Sequence, residues 1–110
     1  MSKYNHYLQR QLPSYPLAVV KSKIKDGKVR INENARKCAL RDFQWGTDEI
    51  IQAIGHLTTK DFLKSDPSLY VANTMLDFYS ATILGELVFT HFYINQDGDL
   101  VINSCHCQTE

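Results

Sequence analysis

The sequence contains no apolar run approaching the ~20 residues that a bilayer-spanning helix needs. Its opening stretch, Met1 to Pro13, is polar and lacks the apolar centre of a secretory signal, so neither export nor membrane attachment is expected. Cysteine is sparse and odd in number. Cys38, Cys105 and Cys107 read as reduced thiols of a cytoplasmic protein rather than as a disulfide framework. There is no internal repeat, no low-complexity segment, no Gly-rich phosphate loop, no zinc-type Cys/His spacing and no nucleophile elbow. Cys105-His106-Cys107 is too tight for one metal, because strand alternation turns His106 away from its flanking cysteines. No cofactor or metal is therefore expected, and a metal-dependent enzyme using these three residues stands as a third option.

What the sequence does hold is an ordinary globular composition, 44% hydrophobic and 22% charged over 110 residues, enough for one domain with one core. A polar leader (1–15), a mainly helical region (16–65) and a mainly antiparallel sheet (69–108) are expected within that domain. The fold class is thus α+β, with N-terminal helices packed on a C-terminal sheet that ends in a hairpin. The formal charge of zero hides an asymmetry: residues 1–42 hold ten Lys or Arg against three Asp or Glu, and residues 43–110 hold two against nine. Such a division fits an anionic partner for the basic half or simply a dipolar solvated surface.

Leu17, Val20 and Ile24 recur at helical spacing until Asp26-Gly27, where glycine accepts the left-handed conformation that helix ends favour. Val29-Arg30-Ile31 is a short β-prone run. Asn32 or Asn34 can cap a second helix through Arg41, with Ala35, Cys38 and Ala39 toward the core. Phe43 to Gly46 reads as a connection, and Thr47 as a capping hydroxyl ahead of Asp48 and Glu49 in a third helix with an apolar stripe of Ile50, Ile51, Ile54 and Leu57. Thr58 to Asp61 is a further capping pattern, expected to open a single turn through Lys64 that Ser65-Asp66-Pro67 ends. Residues 76–79 and 82–84 supply a strand, with Gly85-Glu86 as a turn.

The last segment is the most regular. Leu87 to Asn95 and Leu100 to Cys107 are strand-like runs around Asp97-Gly98, a strong signal for a two-residue hairpin. With those two residues central, Phe89 faces His106 and His91 faces Ser104. Alternation then puts Phe89, His91, Tyr93, Ile102, Ser104 and His106 on one face, and Val88, Phe92, Ile94, Val101, Cys105 and Cys107 on the core side. Two imidazoles on an open sheet face suit general acid–base chemistry near neutral pH, although histidines so placed also serve as structural hydrogen-bonding groups. With a lysine to hold phosphate charge such a pair is enough to cleave RNA, and Phe89 and Tyr93 offer rings on which unpaired bases stack.

Taken in order, Leu17 to Lys21, Asp26 to Arg30, Ala35-Arg36, Asp48 to Ile51 and Leu57 to Ser65 resemble the motility quorum-sensing regulator (MqsR) toxins, with Asp61-Phe62-Leu63-Lys64-Ser65 the most specific stretch and the likeness covering roughly residues 16 to 106. The resemblance implies a RelE-like fold and ribosome-independent cleavage of single-stranded mRNA. It also implies a cognate antitoxin, typically with a helix-turn-helix DNA-binding domain, that holds the toxin inactive. Lys64 matches the family lysine implicated in activity, and Asp77 and Tyr79 are kept. Four positions depart: Leu76 replaces an active glutamine, Phe89 replaces the catalytic tyrosine, and His91 and His106 stand where members have lysines. The expected site is therefore Lys64, His91, His106 and Tyr79. Lys21, Lys25, Lys28 and Arg30 would add phosphate contacts, and Phe89 and Tyr93 would stack on bases. The alternative is a catalytically weakened RNA- or antitoxin-binding module of the same fold.

Overall fold

The computed structural model describes residues 11–107, so residues 1–10 of the polar leader and residue 108 of the expected sheet region lie outside the described range. The chain runs α1 (Leu17–Lys25), β1 (Val29–Ile31), α2 (Glu33–Phe43), α3 (Thr47–Gly55), a 3-10 turn (Thr59–Asp61), β2 (Phe62–Pro67), β3 (Met75–Ile83), β4 (Glu86–Ile94) and β5 (Leu100–Cys107). The architecture is α+β, as expected.

Each helix is set by its ends and one apolar stripe. Leu17 and Val20 of α1 are buried, and Gly27, at φ +74°, lets the chain turn back into β1. Asn32 rather than Asn34 caps α2, its side chain accepting from the Ala35 amide at 3.0 Å. That helix continues past Arg41 to Phe43. Gln44 then takes the left-handed conformation (φ 61°), so that Phe43 and Trp45 are both buried with ring centroids 4.5 Å apart. At α3 the cap is Gly46, not Thr47: Glu49 reaches back to accept from the Gly46 amide at 2.9 Å. Ile50, Ala53 and Ile54 of that helix are wholly buried, as is Leu57 beyond it.

One local expectation is overturned. Phe62 to Pro67 is not a helical turn and its ending but strand β2, preceded only by the short turn that Asp61 caps through the Thr58 amide at 2.8 Å. Lys64 is consequently a strand residue opposite Phe78.

Among the described residues the strands form one sheet in the order β1-β5-β4-β3-β2, with β1 parallel to β5 and the other pairs antiparallel. All three helices of the described residues contribute to the core on one face, where Tyr79, Val88, Phe92, Ile102 and Cys105 are buried beneath them. Full burial of an apolar side chain of this size is worth ~1.5–3 kcal/mol. The core edge also holds one buried carboxylate. Asp77 accepts the Ser14 and Tyr15 amides at 3.0 and 2.9 Å, and Tyr15 Oη donates to the Met75 carbonyl at 2.8 Å. The opposite face of the sheet carries no helix among the described residues.

The turns invert what the sequence led one to expect. Leu84 and Gly85 both have positive φ (52° and 82°), the two-residue arrangement anticipated for Asp97-Gly98. In the β4–β5 hairpin only Gly98 is left-handed (φ 85°), and the loop closes through the Gly98 amide on the Asn95 carbonyl (3.0 Å) and the Asn95 amide on the Asp99 carbonyl (2.9 Å). The Asn95 carboxamide also accepts from the Asp97 and Asp99 amides at 3.0 and 2.9 Å. Pairing near the turn is therefore one residue off: Phe92 faces Ile102 and Tyr93 faces Val101. A bulge at Asn103 restores the expected pairs beyond it, His91 with Ser104 and Phe89 with His106. Ile102 thus belongs to the core (fully buried) and Val101 to the other face, the reverse of the simple alternation.

Candidate active site on the open face of the sheet

Side chains alternate across a strand, so the face turned away from the helices collects Lys64 from β2, Phe78 from β3, Phe89 and His91 from β4, and His106 from β5. Cross-strand pairing makes them a continuous patch. Phe78 and His91 have ring centroids 4.5 Å apart, Phe89 and His106 5.2 Å, and Phe78 and Phe89 6.1 Å. Lys64 Nζ lies 4.9 Å from the Phe78 ring centre and 2.9 Å from Asp66 Oδ2. The ammonium is thereby held over the rim of the aromatic patch, with about half of its side-chain surface in water.

The two histidines differ in what their ring nitrogens meet. His106 Nδ1 donates to the Cys107 carbonyl at 2.9 Å. A carbonyl can only accept, so Nδ1 bears the proton and the lone pair of the neutral ring is at Nε2. The same end of β5 is clasped from α2, where Asp42 Oδ2 accepts from the Cys107 amide at 2.9 Å. Hydrogen bonds from Arg41 first, and from Cys107 second, pull the Asp42 carboxyl down to about 2.

His91 is half-buried. Asn103 Nδ2 approaches its Nδ1 at 3.4 Å, and the Asn103 oxygen in turn accepts from the Asn32 carboxamide, the cap of α2. Amide donation at Nδ1 places the proton of the neutral ring on Nε2. Burial, and then the charge of His106 nearby, push the His91 imidazole down to about 4. The patch therefore pairs one neutral ring that offers an N–H with a second whose outer nitrogen offers a lone pair.

Beside His91 the strands and the β2–β3 loop enclose an open groove of about 470 Å³, lined by Asp66, Pro67, Leu69, Tyr70, Leu76, Phe78, His91 and Asn103. Neither Phe78 nor Asn103 stood out in the sequence. Phe78 is identified by its pairing with both Lys64 and His91, which needs the strand identity of β2. Asn103 is identified only by the bulge, which re-aims its side chain toward His91.

The remaining expected site residues divide. Phe89 joins the patch, and Tyr93 shares the face nearer the hairpin turn, opposite Val101. Arg30, opposite Val101 on the far edge strand, lies near that turn as well, with Nε donating to Asp99 Oδ2 at 3.3 Å. Lys21 and Lys25 are exposed on α1, in the layer on the other side of the sheet, and exposed Lys28 follows that helix. These three are not gathered with the histidines. Tyr79 is a correction: it faces the core, wholly buried, stacked 5.4 Å from Phe92 and edge-on to Phe62 at 5.5 Å. Its hydroxyl has no hydrogen-bond partner among the described residues, and burial pushes it up to about 12. Cys105 is likewise on the core face, turned away from His106.

A family model described as motility quorum-sensing regulator, toxin of MqsA, matches residues 12–104, most of the chain. No curated protein matches it.

Proposed function

We propose, from the premise that the chain belongs to the motility quorum-sensing regulator toxin family and is the toxin of a toxin–antitoxin pair, that it cuts single-stranded mRNA on the open face of its sheet. The observation that carries this reading is the orientation of His106: its Nδ1–H is fixed on the Cys107 carbonyl, leaving Nε2 as a base on the face that also bears Lys64 and His91. In the proposed step His106 Nε2 takes the proton of a ribose 2′-hydroxyl, whose oxygen attacks the adjacent phosphorus. The Lys64 ammonium and the His91 Nε2–H meet the negative oxygens of the phosphorane. The bond to the 5′-oxygen then breaks, leaving a 2′,3′-cyclic phosphate and a 5′-hydroxyl whose proton comes from water at the open face, and the hydroxide so formed takes the proton back from His106. Apart from that water, every step uses side chains of this chain. Tyr79 has no part in it, since it lies across the sheet in the core.

The partner is an antitoxin, for which we propose a helix-turn-helix DNA-binding domain, and the setting is the cytoplasm. Among the described residues no helix is long and apolar enough to cross a membrane. Lys21, Lys25 and Lys28 stay in the proposal only as distant phosphate contacts, reached by RNA that passes around the edge of the sheet. A second reading, a binding module with weakened catalysis, is favoured by Phe89, which lacks the hydroxyl of the family tyrosine, and by Leu76 in place of the glutamine.

The test is direct. Purified protein is incubated with single-stranded RNA in the presence of a chelator, and the products are mapped. Cutting that falls at least about tenfold in His106→Ala supports the reading; undiminished cutting removes His106 from the step. Expression in a bacterial host separates the two readings: growth arrest relieved by the antitoxin supports the nuclease, and harmless overexpression supports the binding module.

A further inference from the structure

We propose that the groove beside His91 is a stacking subsite for one unpaired nucleobase, held by aromatic contact and burial rather than by readout of the base edge; this rests on the reading of the open face as the surface that takes RNA. The loop between β2 and β3 supplies the first observation. Leu69 and Tyr70 are 89% and 92% exposed, far more than large apolar side chains usually are. Yet the loop that carries them is tightly built: Ser68 Oγ accepts the Tyr70 and Val71 amides at 3.1 and 3.0 Å, and the Ser68 amide donates to the Thr74 carbonyl at 2.8 Å. An exposed ring on a braced loop is a surface waiting for a flat partner.

The floor supplies the second. Leu76, only 7% exposed, lines the bottom of the groove beside the Phe78 ring. A leucine cannot hydrogen-bond a base, so this floor offers area instead of a pattern of donors and acceptors. Two of the polar groups at the rim are already engaged. Asp66 is paired with Lys64 at 2.9 Å, and Asn103 is held between Asn32 and His91. Stacking of this kind is tolerant of base identity and follows ring size. The subsite therefore favours purines over pyrimidines and separates adenine from guanine little.

Position supplies the third. The groove shares Phe78 and His91 with the patch, and Lys64 sits over that same Phe78 ring. A base seated there carries its own phosphate toward the ammonium and the two imidazoles. The groove thus sets which nucleotide lies next to the bond that is cut.

The experiment uses the full chain with His106→Ala, so that RNA stays intact, and reads binding of oligoadenylate and oligouridylate of equal length by fluorescence anisotropy. Oligoadenylate binds more tightly, and adding Tyr70→Ala, a change at an exposed side chain, weakens it about tenfold with the thermal midpoint unchanged. Leu76→Trp, which fills the floor, weakens it by as much. Oligouridylate changes less than about threefold in either. Undiminished oligoadenylate binding in both variants overturns the subsite.

In the chain with His106 intact, Tyr70→Ala moves cutting away from purine-flanked positions. Cutting at unaltered positions in both groove variants overturns the subsite while the nuclease reading stands. Tyr70-dependent binding by a parent chain that cuts nothing has the opposite meaning. A Tyr70→Ala variant that loses the antitoxin complex but binds RNA as before assigns the groove to a protein side chain and overturns the proposal.

Discussion

The two faces of the sheet are made by the same strands, residue beside residue, and meet opposite conditions. On β4, Phe92 is wholly buried beneath the helices, stacked on Tyr79, while its neighbour His91 lies on the open face against Phe78. On β5, Cys105 is buried and His106 beside it presents a ring nitrogen outward. Each strand thus alternates between residues that hold the core and residues that form the candidate site, with even numbers inward on β4 and odd numbers inward at this end of β5. The comparison teaches that residue type alone does not assign a role here. Phe92 and Phe89 are both phenylalanines of one strand, and only their side of the pleat separates them.

The largest effect expected from this division is in folding. Phe92→Ala removes a wholly buried ring and costs ~3–5 kcal/mol in denaturant unfolding, whereas Phe89→Ala, half-buried on the open face, costs less than about half of that. Equal losses would break the division. Next comes catalysis: His106→Ala and Lys64→Ala each lower RNA cutting at least about tenfold, ~1.4 kcal/mol in barrier, with unfolding midpoints kept. A variant that loses cutting only because it loses its fold would place those residues with the core instead.

Tyr79→Phe sharpens the comparison from the buried side. Its hydroxyl is buried without a hydrogen-bond partner among the described residues, so its removal is neutral or stabilising by up to ~1 kcal/mol, and cutting is unchanged. Loss of cutting in Tyr79→Phe would return that residue to the site.

The effect confined to the narrowest conditions is a titration. His91, pushed down to about 4, is still neutral in the folded chain at a pH where the unfolded imidazole, near its ordinary ~6.5, has already bound a proton. Stability therefore rises with pH between about 4 and 6.5, and this contribution vanishes above that window. Nuclear magnetic resonance of the imidazole resolves it, and Phe78→Ala, which uncovers the ring, brings the titration back toward the ordinary value.

The parts legible from the sequence are those with a local physical cause. Gly27, the Asn32 cap and the apolar stripe of α3 announce their elements, and the long runs of β4 and β5 announce a hairpin. Strand β2 was not legible, because Asp61-Phe62-Leu63-Lys64 begins with a genuine capping pattern and the bulge after Phe62 hides the alternation. The pairing of His91 with Ser104 and of Phe89 with His106, on which the candidate site rests, was legible through two departures that offset each other. The turn has one left-handed residue instead of two, which slips the register, and the bulge at Asn103 slips it back before His91 meets Ser104. Val101 and Ile102 are both apolar, so nothing in their identity revealed the exchange of faces between them. Tyr79 was misplaced for a different reason: a motif match fixes a position along the chain but not the side of the sheet.

Strand β5 has a consequence for timing. It is hydrogen-bonded on one side to β4 and on the other to β1, whose Val29 pairs with Leu100 across most of the chain. During synthesis the helices and the first four strands leave the ribosome before residues 100–107 do. Until those residues arrive, β1 has no neighbour in the sheet and the proposed base, His106, does not exist. On the proposed mechanism, a nascent chain cannot cut RNA until the strand that carries His106 closes the sheet.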